Sequence, residues 1–186
     1  MNTHEQMKND LDYVVAAVRR NDRSGGSPML YAFWALAILV GFALVDFAPH
    51  IAGPYWMVVG IGGGLGSTLY ASRESRRQPV VNAEQNRRWG IHFVVGGIGW
   101  LLVAASFFAG HGEARDVATG FLLVTGLVYA LAGVHLDRLM LWSGLVALAG
   151  YAVMQWLPVP YLWTTTGAVM AASLGTSAVL SARGRG

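Results

Sequence analysis

Residues 29–47 read MLYAFWALAILVGFALVDF, an apolar run whose single charge, Asp46, stands next to its end. The hydrocarbon core of a bilayer is about 30 Å thick and takes roughly 20 mostly apolar residues as helix, so this stretch predicts a membrane span. Five more stretches have the same character, at about 55–71, 90–109, 117–136, 139–157 and 161–182. Lipid offers backbone amides no partner, so helices that satisfy them internally are expected, and the short alternating segments of a barrel are absent. The composition agrees, because 54% of the 186 residues are hydrophobic, 12% are charged and mean hydropathy is +0.45. A soluble domain carries about 25% charged residues. The chain has no cysteine, which excludes a disulfide framework, a thiol nucleophile and a thiolate metal site.

The loops set the expected orientation. Arg19, Arg20 and Arg23 precede the first span, Arg73, Arg76, Arg77, Arg87 and Arg88 separate the second from the third, Arg138 follows the fourth, and Arg183 and Arg185 follow the sixth. On the other side Arg115 stands alone between Glu113 and Asp116. The positive-inside rule therefore predicts that both termini are cytoplasmic. A polar N-terminal segment followed by a long apolar run predicts an uncleaved signal anchor in a bacterial inner membrane. The expected fold is an all-α integral membrane protein of six transmembrane helices in three αα-hairpins (28–186). A short amphipathic cytoplasmic helix and a Gly/Ser linker precede it (1–27).

Two spacings suggest an internal repeat. Even-numbered spans share Gly60 with Gly64, Gly126 with Ala130, and Gly167 with Ala171, small pairs four apart that let helix backbones approach closely in lipid. Odd-numbered spans share Gly41-Phe42, Gly99-Trp100 and Gly150-Tyr151. Coincidence among 24 glycines is the competing explanation. The run Gly60-Ile61-Gly62-Gly63-Gly64-Leu65-Gly66 sits inside a span with no lysine nearby, so it reads as a packing face with a kink and not as a phosphate loop. A broken helix lining a solute cavity is the alternative.

Before the first span, Met7, Leu11, Val14, Val15 and Val18 share one helical face. Such a helix lies on lipid, docks under the bundle or binds a partner protein. The arginines of the second inner loop attract anionic headgroups, and no nucleic-acid recognition module accompanies them. His92 and His135 fall at the inner ends of the third and fourth spans, where ordinary interfacial histidines are the favoured reading and the two axial ligands of a haem the outside one. No His and carboxylate spacing predicts a metal site, and no cofactor is expected. Asp46 is the only charge inside a predicted span, and Gln155 occupies the matching place in the fifth, so any transport path would pass these two and Gly60 and Gly64. The seven tryptophans fall mostly at span ends, as an interfacial belt does.

No nucleophile and base stand at a recognisable spacing, so catalysis is not expected. The sequence therefore points first to a non-enzymatic scaffolding, regulatory or accessory protein that binds a partner, or a second copy of itself, beside the lipid. A small-solute transporter or channel is second, and a haem b electron carrier third.

Overall fold

The computed structural model describes residues 6–8, 11–13, 27–77 and 83–183, all of its regular elements being helical. The first helix, α1 (Pro28–Phe47), opens on a proline, whose missing N–H is no loss at a first helical position. It stops at Ala48 because Pro49 bars that residue from helical angles; Ala48 lies at φ −148°. The same proline starts α2 (Pro49–Tyr55), which continues through π-helical turns (Trp56–Ile61) into α3 (Gly62–Arg77). Four helices follow: α4 (Ala83–Phe108), α5 (Ala114–His135), α6 (Arg138–Trp156) and α7 (Leu162–Arg183).

Five helices, α1 and α4 to α7, are long and apolar enough to cross a membrane. The chain is thus a helical bundle with several helices fit to lie across a bilayer. The second predicted span, about 55–71, is not among the five. The helix there begins at Pro49, is widened by the π turns, and ends in the polar Ser72–Arg77 stretch, so neither half alone has the length. Taken together, residues 49–77 form one uninterrupted helical run, about 40 Å long at the usual helical rise. The helix that carries the third predicted span starts earlier than expected, at Ala83, and Glu84 in its first turn pairs with Arg87 and Arg88. Hydrogen bonds from Arg88 and then Arg87 hold the exposed Glu84 carboxyl below the usual carboxylate range.

The most extensive packing joins α5 to α6 and α1 to α7, with α7 also against α6 and α5. Small residues permit it. At Gly144 a Cβ would run into the backbone of Ala130 and of Gly126, and at Gly133 into the backbone of Leu141. Gly126 lies under Leu148, and Gly167 under Phe42 and the carbonyl of Ile38. Large aromatics fill the remaining space: the buried Phe42 ring is 5.3 Å from Phe121 and 6.0 Å from both Trp163 and Trp56. On the outside of this core α4 packs on α5, with Gly96 beneath Val128 and Gly99 beneath Val124. The α3 helix meets α1 through side chains, as Trp34 Nε1 donates to Ser67 Oγ at 3.0 Å.

Tight connections fix the ends. Gly110 (φ +68°) and Gly112 (φ +89°) take left-handed conformations between α4 and α5, which only glycine adopts freely. Between α5 and α6, the Asp137 carboxylate caps α6 by accepting from Leu139 N at 3.0 Å.

Candidate functional site

The polar side chains of the bundle gather in two places. The first is the end remote from the arginine-rich segments, around the connection 157–161 between α6 and α7. Here one carboxylate oxygen of Asp46, in the last turn of α1, accepts from both Thr164 N (2.7 Å) and Thr164 Oγ1 (2.8 Å). Thr164 is the third residue of α7, so Asp46 satisfies an unpaired N–H of that helix and sets its negative charge against the positive end of the α7 dipole. The same charge is unfavourable at the C-terminal end of its own helix, which makes the α7 contact its explanation.

Arg115 serves the other side of the connection. Its guanidinium donates to Met154 O at 2.8 Å and Leu157 O at 3.4 Å, carbonyls that the end of α6 leaves unpaired. Gln155 Nε2 donates to Thr119 Oγ1 (3.1 Å), and Thr119 in turn donates to Arg115 O (2.8 Å). The two helix ends that flank the connection are therefore each held, the start of α7 by a carboxylate from α1 and the end of α6 by a guanidinium from α5. Beside these ties, Tyr161 holds a left-handed conformation (φ +51°) with its ring 5.0 Å from Phe47.

The second place is buried between α6 and α7. Ser143 Oγ donates to Ser173 O and Ser173 Oγ donates to Ser143 O, both at 2.7 Å. Because the Ser143 hydroxyl hydrogen is already engaged, Ser177 must be the donor in its 2.5 Å contact with Ser143 Oγ. Reciprocal bonds of this kind join helices where no water competes. Trp100 Nε1 makes a similar tie to Thr125 Oγ1, at 3.0 Å, between α4 and α5.

The residues of the predicted transport path take up the following places. Asp46 and Gln155 bond to different helices, α7 and α5. Gly64 meets nothing within 4 Å of a built Cβ, and Gly60 only the ring of Trp56 on its own helical run. Among the predicted packing residues, Gly126, Ala130 and Gly167 stand in the contacts described above, and Ala171 is half-buried on α7. His92 lies on α4 with Nε2 2.7 Å from Val128 O, so that nitrogen carries the proton. His135 is seven residues beyond Val128, about 10 Å further along the helix. It lines a surface recess of about 400 Å³ with Asp137, Arg138 and Leu141. Among the described residues no group of three or more His, Asp and Glu is placed to hold a metal ion. On the N-terminal segment, residues 6–8 and 11–13 are helical with Met7 and Leu11 exposed; Val14, Val15 and Val18 lie outside the described residues.

These roles of Arg115 and Thr119 were missed by the sequence reading, which treated Arg115 only as a topological marker. The available signal was Arg115 itself, a cation on the side that the positive-inside rule leaves poor in cations. No family model, no curated protein and no solved structure matches the chain, so its own residues carry the functional reading.

Proposed function

We propose that the chain is a six-span bacterial inner-membrane protein of non-enzymatic scaffolding or accessory type, with both termini cytoplasmic. In this reading residues 49–77 supply the second span, and the N-terminal helix is the arm that binds a protein partner. One observation carries it. The polar groups that a transport path or a catalytic site would use, Asp46, Arg115, Gln155, Ser143 and Ser173, are engaged in tying helices to one another. The apolar residues Met7 and Leu11 stand exposed on the N-terminal segment.

Affinity purification in mild detergent from native membranes tests this, comparing the full chain with one that starts at Pro28. A stoichiometric partner is expected with the full chain only. Recovery of both forms alone and equally folded would contradict it.

A small-solute transporter is the second reading. It is favoured by the π-helical turns at Trp56–Ile61, since such interruptions often mark functional positions and here run into a glycine-rich stretch.

A further inference from the structure

The hydrogen bonds between helices sort the bundle into two units. Asp46 ties α1 to α7, while Trp34 with Ser67, Ser27 with Tyr70, and Tyr55 with Ala37 O tie α2–α3 to α1. In the other unit Arg115 and Gln155 tie α5 to α6, and His92 and Trp100 tie α4 to α5. Packing divides the same way, since α1 on α7 and α5 on α6 are the most extensive contacts. The chain passes between the units at 78–82 and at 157–161.

The units meet where α7 lies against α6 and α5. The contacts there are mostly apolar, with Phe121 against Phe42 and Trp163, Phe107 against Trp163, and Val169 over Gly150. Among the hydrogen bonds named here, those of Ser143 with Ser173 and Ser177 alone cross from one unit to the other.

Ser173, Ser177 and Ser181 follow at four-residue steps on one buried face of α7. Ser181 is 5% exposed, and its hydroxyl has no hydrogen-bond partner. A buried hydroxyl left unsatisfied is costly and calls for an explanation. The spacing supplies one. Advanced by one turn, α7 presents Ser177 and Ser181 to Ser143 as it now presents Ser173 and Ser177. All three bonds then re-form: Ser143 Oγ donates to Ser177 O, Ser177 Oγ to Ser143 O, and Ser181 Oγ to Ser143 Oγ. Ser173 becomes the hydroxyl left out, at the level of Gly150 where Val169 now lies. The two registers match rung for rung.

The connection between α6 and α7 suits such a shift. Arg115 holds the end of α6 to α5 and Asp46 holds the start of α7 to α1, so each end of 157–161 belongs to its own unit. Between them Pro158 and Pro160 have no N–H with which to extend either helix. Tyr161 stands at φ +51°, a conformation that a residue other than glycine holds at a cost.

We propose that the two units slide past each other by one helical turn along the α6–α7 seam. In the slide α7 and α1 move toward the 157–161 end, and Ser143 steps from Ser173 and Ser177 to Ser177 and Ser181. The displacement is four residues, about 6 Å along the helix. Packed interfaces move between discrete arrangements of this kind and do not deform continuously. The slide carries a change at the 157–161 end to the start of α1 and the end of α7 at the other.

Absence of native cysteine makes trapping direct. Ser143→Cys is combined in one chain with Ser177→Cys, Ser181→Cys or Val169→Cys, and each pair is oxidised in membranes. The three pairs report the present register, the advanced register and a slide the opposite way. Intramolecular disulfides are expected from the Ser177 and Ser181 pairs, and several-fold less from the Val169 pair. Closure of the Ser177 pair without the Ser181 pair, or equal closure of the Val169 pair, would overturn the proposal. A second measurement leaves all four serines in place, with spin labels at Trp156→Cys and Val179→Cys, exposed positions toward opposite ends of α6 and α7. Two distances about 6 Å apart are expected, the shorter reduced several-fold when Ser181→Ala is added. A single distance, unchanged by Ser181→Ala, would overturn the proposal.

Discussion

Gly144→Ala is expected to destabilise the bundle by about 3 kcal/mol, at the upper end of what overpacking a well-filled interior costs. The new methyl would lie 2.7 Å from the Ala130 Cα and 2.8 Å from the Gly126 carbonyl oxygen, and closer still to the Ala130 amide nitrogen. All three are backbone atoms, so no rotamer change makes room and α5 and α6 must separate. That separation loosens Leu148 over Gly126 and the contact of Gly133 with the Leu141 backbone, which belong to the same interface. Gly175→Ala in α7 is the control, since nothing lies within 4 Å of its Cβ. It is expected to be neutral or stabilising by up to about 1 kcal/mol, the difference in helix propensity. Thermal unfolding in detergent, followed by far-UV circular dichroism, should move in opposite directions for the two. Equal effects would mean that the close approach of α5 and α6 is wrong.

Asp46→Ala is expected to lower stability by about 2 kcal/mol, the sum of a lost cap and a lost favourable charge at the start of α7. The Thr164 amide and hydroxyl both lose their acceptor. Asp46→Asn keeps an acceptor oxygen and loses the charge, so about 1 kcal/mol or less is expected. The local readout is hydrogen exchange at the first turn of α7, where the Thr164 amide should exchange faster in Asp46→Ala and change little in Asp46→Asn. A role for Asp46 as a charged step on a transport path predicts the reverse emphasis, with Asp46→Asn impairing function as severely as Asp46→Ala.

Much of the helical framework was legible in the sequence because lipid imposes length and apolarity directly. The exception teaches why. Residues 55–71 are apolar enough to read as a span, yet Pro49 starts the helix earlier and the π turns at Trp56–Ile61 widen it, features that depend on backbone geometry and leave hydropathy unchanged. Gly126 and Gly167 could be picked out by spacing because close helix approach demands small residues. The same spacing marks Gly60 and Gly64, where a Cβ would meet no other helix among the described residues, since sequence periodicity says that a face is small without saying what covers it. Asp46 was visible as an intramembrane charge, but its partner Thr164 lies 118 residues away and only the packing of α1 on α7 reveals it. His92 and His135 both fall near the arginine-rich end, yet the hydrogen bond of His92 to Val128 sets them two turns apart.

The measurement that tests the central claim most directly is single-cysteine labelling in the otherwise cysteine-free chain, using a membrane-impermeant maleimide on intact cells. Six spans in three hairpins predict that cysteines at His50, His111 and Pro158 label from outside. Those at Ser72 and Arg138 should label only after the membrane is opened. Labelling of Ser72→Cys and His50→Cys from the same side would show that residues 49–77 do not cross, and the hairpin arrangement would fall.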